Sequence, residues 1–223
     1  MEGFQVIMSG LVLKIIALAT MIIDHYGAIF QGHVILYRII GRLAFPIYCF
    51  LLVEGYFHTR NVKKYGTRLL IFAFISEIPF DLAFFGKVGF EHQNIFFTLF
   101  IGLTAIYLID KKAESINKAL VIFSAAVLAT LLKTDYQYIG IVYMLAFYYI
   151  KNMPKQRKFP ALALTMLAIN FSAGLIQQFS LLALVPIYFY NNQPGWKNKI
   201  LQISFYIAYP LHLLLFYFVK NFS

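Results

Sequence analysis

The sequence predicts an all-α fold, a polytopic integral membrane helical bundle of about nine transmembrane helices with a cytoplasmic N-terminus. Three observations predict it. Apolar residues make up 61% of the chain and charged ones 13%, with a mean hydropathy of +0.73, so too little polar surface exists to solvate a globular domain. Apolar runs recur along the whole length, several of them long enough to cross a ~30 Å hydrocarbon layer. The basic residues fall mainly in every second connector, the positive-inside pattern of a multi-pass protein. No soluble portion remains once the spans are removed, so residues 1–223 read as a single transmembrane domain.

The first span is expected over residues 11–30, LVLKIIALATMIIDHYGAIF, after a Ser9-Gly10 start. The N-terminal MEGFQVIMSG has no basic n-region and no small-residue cleavage site follows the run, so this span reads as retained. Span two, 36–57, carries Arg38, Arg42, Pro46 and Glu54; span three, 65–85, carries Glu77, Pro79 and Asp81. Spans four to nine are expected over 94–109, 119–132, 138–150, 161–176, 179–190 and 200–219, the break between seven and eight being marked only by Ser172, Gly174, Gln177 and Gln178.

Orientation follows from the cations. The connectors after spans two, four, six and eight hold Arg60, Lys63, Lys64, Arg68; Lys111, Lys112, Lys118; Lys151, Lys155, Arg157, Lys158; and Lys197, Lys199, or thirteen of the nineteen. The opposite side holds Lys87, Lys133 and Lys220. The thirteen are therefore cytoplasmic, and the C-terminus lies outside. This topology also accounts for the net charge of +10 without nucleic acid, for which a solvated basic face and a binding motif would be needed. The lone Cys49 sits in an apolar span, so neither a disulfide nor a metal cluster is expected from it, and it reads as a small buried hydrophobe.

Charges inside spans need an explanation, because facing lipid costs them a few kcal/mol or more. Lys14 and His25 are eleven residues apart; at ~100° per residue they return to one face of the first helix, ~16 Å apart. Asp24, His25, Arg38, Arg42, Glu77, Asp81, His92, Asn94 and His212 all fall in the outer half of the bundle. Arg38/Arg42 and Glu77/Asp81 are i,i+4 pairs, each sharing a face, so two cations would be able to meet two anions as a structural ion-pair network or as part of a site. Pro79 frees a carbonyl one turn back, either as an ordinary kink or as a way of shaping a cavity. Glu54 and His58 form another i,i+4 pair at the cytoplasmic end of span two.

Several ordered segments carry a resemblance: LKIIALATMIIDHYG, RIIGRLAFPIYCFLLVEGYFHTRNVKKYGTRLL, FISEIPFDLAFF, HQNIFFTLFIGL and FYIAYPLHLLL. Together they resemble the TraX family of bacterial membrane proteins over nearly the whole chain. A named member of that family is implicated in N-terminal acetylation of conjugative pilin, and the family is distantly similar to the acyltransferase-3 membrane enzymes. Those enzymes carry a basic residue and a histidine separated by ten residues in the first helix, which Lys14 and His25 reproduce. They also carry basic residues at the cytoplasmic start of a later helix, which Lys64 and Arg68 match loosely.

The resemblance implies an acetyl-CoA-dependent transferase in the bacterial cytoplasmic (inner) membrane, with acetyl-CoA as co-substrate and no metal. Arg60, Lys63, Lys64 and Arg68 would hold the CoA phosphates at the cytoplasmic mouth, unless they serve topology alone. The pantetheine arm would run past Lys14 toward His25, which would act as general base or become acetylated itself, with Asp24, Glu77 or Asp81 orienting its ring. Arg38, Arg42, His92, Asn94 and His212 are candidates for contacting the acceptor or stabilising an oxyanion. The expected partners are membrane lipid and an acceptor at the outer side, either a protein N-terminus or a surface glycan. Two other classes fit the same residues. A proton-coupled transporter would use Asp24, His25, Glu77 and Asp81, although no inverted repeat accompanies them. A non-catalytic assembly subunit would use buried charges as structural glue.

Overall fold

Most apolar runs become single α-helices, and the punctuation between and within runs decides where the helices stop. A computed structural model describes residues 8–111, 117–196 and 198–222. Lys112 and Lys197, counted among the cytoplasmic cations, and residues 1–7 of the retained N-terminus lie outside the described residues. The helices are α1 (Gly10–Phe30), α2 (Ile35–Gly41), α3 (Ala44–His58), α4 (Val62–Phe85), α5 (Ile95–Lys111), α6 (Lys118–Leu131), α7 (Gln137–Ile150), α8 (Lys155–Asn170), α9 (Leu184–Tyr188) and α10 (Lys199–Phe222). Two 3₁₀ segments, Phe171–Ala173 and Leu175–Ala183, lie between α8 and α9. Among the described residues there is no β-strand, so the all-α expectation holds.

The number of full-length crossings differs from the expected nine. Among the described residues three stretches are long and apolar enough to cross a membrane: Gly10–Phe30, Ile35–His58 (α2 and α3 together) and Lys199–Phe222. Helices such as α6 and α7, at 14 residues, reach only ~21 Å at 1.5 Å per residue. The 24-residue α4 is long enough, but it includes Lys63, Lys64, Arg68, Glu77 and Asp81.

Two boundaries depart from the sequence reading. Span two breaks at Arg42–Leu43, four and three residues before Pro46. Proline has no N–H to give and crowds the carbonyl four residues back, here that of Arg42, so the helix restarts with Pro46 in the first turn of α3. The region expected as spans seven and eight runs instead as α8, a turn at Gly174 (φ +90°) and a nine-residue 3₁₀ segment. Such long 3₁₀ runs are unusual. This one is held because Asn170 Nδ2 donates to the Gln177 carbonyl and to Ser180 Oγ, both at 3.0 Å. With three residues per turn, Gln177, Ser180 and Ala183 share its buried face.

The chain divides into two compact units, Met1–Leu51 with Met153–Phe205, and Leu52–Asn152 with Tyr206–Ser223. In the first, Ser9 caps α1 by accepting from Val12 N (3.4 Å), and the Met8 and Gly10 amides bond the Phe189 and Gln193 carbonyls at 3.0 and 2.7 Å. In the second, Asn61 caps α4 through Lys64 N (2.9 Å) and Asn117 caps α6. Gly86, at φ +71°, closes α4 in the left-handed conformation that glycine tolerates. Cys49 is fully buried, as a small hydrophobe would be.

Candidate functional site

The first unit assembles a polar knot from three chain segments. Leu13, Ala17, Thr20, Met21, Asp24 and Gly27 recur at helical spacing on the buried stripe of α1. Asp24 is the charge on that stripe. Arg38 on α2 places Nη1 2.9 Å from Asp24 Oδ2 and 3.2 Å from the Asp24 carbonyl. Arg42, at the end of α2, donates from Nη2 to both carboxylate oxygens at 2.8 and 2.9 Å. Its Nε donates to the Arg38 carbonyl and its Nη1 to Gln177 Oε1, each at 3.2 Å. The 3₁₀ segment thereby joins α1 and α2. The close approach needs Gly41, since a Cβ there would overlap the Asp24 side chain.

His25 follows Asp24 and is buried at 8% exposure. Lys14 is half-buried, its Nζ 5.9 Å from the centroid of the Phe205 ring, at the limit of a cation–π contact. The eleven-residue spacing puts both at one edge of the buried stripe.

The second unit gives the remaining polar groups partners of their own. Asn94 precedes α5 and its Oδ1 accepts from Phe96 N (3.1 Å), an N-cap contact. Its Nδ2 donates to the Ala73 carbonyl (2.7 Å) and to Glu77 Oε2, which also accepts from Asn94 N (3.3 Å). Glu77 Oε1 is buried and takes no partner among the described residues. Asp81, 1% exposed, accepts from Gly89 N at 2.8 Å and so pins the loop after α4. His92 stacks on Phe85 with centroids 6.2 Å apart. His212 is buried, its Nδ1 2.8 Å from the Ala208 carbonyl, with Tyr209 and Phe216 edge-on to its ring.

The ion pairing expected between Arg38/Arg42 and Glu77/Asp81 is replaced. Both arginines take Asp24, Glu77 takes Asn94, and Asp81 takes a backbone amide. An i,i+4 spacing fixes which residues share a face but not what that face meets. Asp24, expected as one of the groups able to orient His25, has both oxygens held by guanidinium.

Of the cations expected at the cytoplasmic mouth, Arg60, Lys63 and Lys64 are exposed, whereas Arg68 is half-buried with its guanidinium 5.6 Å from the centroid of the Tyr65 ring. Lys151, read from the sequence only as a topological cation, and Asp110, Tyr56 and Tyr148, given no role there, complete this end of the second unit. Lys151 Nζ lies 2.6 Å from buried Glu54 Oε1 and 4.3 Å from the Phe57 centroid. Asp110 accepts from Tyr56 (2.6 Å) and Tyr148 (3.1 Å). Glu54, a carboxylate four residues before the end of the apolar α3, is the sequence signal for a buried partner.

The sequence profile described as TraX protein matches residues 9–220, a range that takes in the Asp24–Arg38–Arg42 knot, Gln177 and Asn94. The chain belongs to the TraX family. It is 30% identical over 239 aligned residues to the probable fimbrial assembly protein FimC, serogroup H1, of Dichelobacter nodosus, covering 94% of this chain and 95% of that protein. A second similarity, 32% over 95 residues, is to an uncharacterized protein of Rickettsia prowazekii (strain Madrid E), covering 43% of this chain and 35% of that one. No solved structure matches.

Proposed function

We propose that this TraX-family chain is a multi-pass protein of the bacterial cytoplasmic membrane, N-terminus inside, that acetylates a pilus or fimbrial component at the outer face using cytosolic acetyl-CoA. The observation that carries the reading is the buried His25 set directly beside the arginine-held Asp24. An ionisable residue inside a membrane helix is a functional-site candidate by default, and the backbone neighbour of His25 is fixed by two guanidinium groups. Family membership and the name of the D. nodosus relative point to pilus assembly, and the Lys14–His25 spacing resembles the pattern of the acyltransferase-3 enzymes. The four shorter apolar helices add further crossings to the three long spans, with bilayer thinning absorbing their shortfall in length.

In this mechanism Lys14, eleven residues before His25 on the same helix, lies along the pantetheine path. His25 removes a proton from the acceptor amine, or hydroxyl, as its nitrogen or oxygen attacks the thioester carbonyl. The tetrahedral oxyanion is stabilised by a donor from Arg42, which lies in the same unit as His25. Collapse breaks the C–S bond, and the proton held by His25 passes to the departing thiolate, giving CoA and the acetylated acceptor.

The test is transfer of label. Membranes of a pilus-bearing host, supplied with acetyl-CoA labelled in the acetyl group, should place label on a pilus subunit or surface component only when the chain is present. A second reading, a non-catalytic assembly subunit, is favoured by one observation: the Asp24 and Glu54 carboxylates are each tied to a cation as structural pairs would be. No label even when the chain is present, together with misassembled pili in the deletion strain, would select that reading.

A further inference from the structure

Two guanidinium groups share one carboxylate in the first unit, and Asp24 is the one acidic residue among the described residues of that unit. Among the described residues of that unit the knot therefore sets two guanidinium groups against one carboxylate, on helices read as membrane-embedded. A charge withdrawn from bulk water is costly unless a counter-charge reaches it.

Arg38 is the residue able to receive that counter-charge. Its Nη1 serves the Asp24 carboxylate and carbonyl, while Nε and Nη2 take no partner among the described residues. Its side chain keeps 32% exposure against 13% for Arg42. The Nε–H and Nη2–H groups form one edge of a planar guanidinium, the two-toothed geometry that matches two oxygens of a phosphate. Asp24 lies six residues before the end of α1 at Phe30, ~9 Å along the axis. An arginine arm rooted opposite it can snorkel to headgroup depth. One turn before Arg38, Ile35 and Leu36 are 55% and 57% exposed, which suits acyl chains better than water.

We propose that the free edge of Arg38 seats a phosphate-class oxyanion, supplied by the headgroup of an anionic phospholipid in the leaflet at the Phe30 end of α1. The seat does not depend on acetyl transfer; it requires only that α1 and α2 lie in the bilayer.

The experiment uses the full chain in nanodiscs of phosphatidylcholine with a minor share of phosphatidylglycerol, and counts lipid retained after release into detergent by native mass spectrometry. The parent should retain phosphatidylglycerol preferentially. Arg38→Gln should lower that retention about tenfold, the worth of a charge-assisted hydrogen bond. Asp24→Asn, which removes the competing carboxylate, should raise it. A parallel arm titrates inorganic phosphate against thermal unfolding in pure phosphatidylcholine. Stabilisation there that disappears in Arg38→Gln keeps the seat and assigns its anion to the aqueous phase. Retention in Arg38→Gln equal to the parent, with no Arg38-dependent phosphate response, overturns the proposal. If Arg38→Gln does not fold, unchanged retention and unchanged phosphate response in Asp24→Asn overturn it.

Discussion

Arg42 and Asp24, eighteen residues apart, meet through one nitrogen that spans the carboxylate, Nη2 lying 2.8 Å from Oδ1 and 2.9 Å from Oδ2. The contact closes the α1–α2 hairpin and, through Gln177, fastens the 3₁₀ segment to it. Removing Arg42 leaves Asp24 its Arg38 partner but loses the bonds to both carboxylate oxygens and to Gln177, at a cost of about 1.5–3 kcal/mol for a charged hydrogen bond. Arg42→Ala should therefore unfold at markedly lower temperature in detergent, and Arg38→Ala by less, because Arg38 is the more exposed of the two. An Arg42→Ala melting curve superimposable on the parent would remove the knot from the stability account.

Gly41→Ala tests the same contact from the backbone side. A Cβ there has nowhere to go but into Asp24, so the variant should lose the monodisperse, folded peak on size exclusion. Gly32→Ala, in the following turn with open space around it, should behave as the parent. Equal behaviour of the two variants would mean that α1 and α2 are not packed this closely.

Glu54 and Lys151 offer a second buried pair, 2.6 Å apart on α3 and just after α7. A double-mutant cycle over Glu54→Gln and Lys151→Ala should give a coupling energy of about 1–3 kcal/mol by denaturant unfolding. Additive single effects would show the pair to be incidental.

Much of this architecture is legible in the sequence, for a physical reason. Apolar composition and helical length are local properties, so the core of α1 through α7 can be read directly. The break at Arg42–Leu43 was readable as well, since Pro46 forbids the Arg42 carbonyl its ordinary bond, yet the unbroken apolar run outweighed it. The choice of Asp24 over Glu77 and Asp81 as the arginine partner was not readable. That choice depends on which helices turn their faces together, and all three carboxylates had the same estimated depth. The 3₁₀ segment was likewise hidden, because Asn170, Gln177 and Ser180 act through bonds across seven and ten residues. Propensity does not encode such bonds.

Asn94 combines three tasks: capping α5, holding the Ala73 carbonyl and fixing one oxygen of Glu77. Asn94→Ala should cost about 1–2 kcal/mol for the lost cap alone and should raise hydrogen exchange at the first amides of α5, Phe96 foremost. Unchanged exchange there would show that the cap carries no weight.

The exposed cations at the start of α4 separate a nucleotide seat from a topological signal. Reversing Lys63 and Lys64 to glutamate should weaken acetyl-CoA binding by isothermal titration about tenfold or more, the scale of a lost charge-assisted contact with phosphate. The same change in Lys155 and Lys158 should leave the affinity unaltered. Equal loss in both pairs would assign the effect to general surface charge.

The measurement closest to the central claim follows free CoA thiol released from acetyl-CoA by purified protein in proteoliposomes holding an acceptor. His25→Ala, checked for folding by its unfolding temperature, should slow release about 10²- to 10⁴-fold, as loss of a general base does. Release by the folded variant at the parent's rate would contradict the assignment and leave His25 a structural residue.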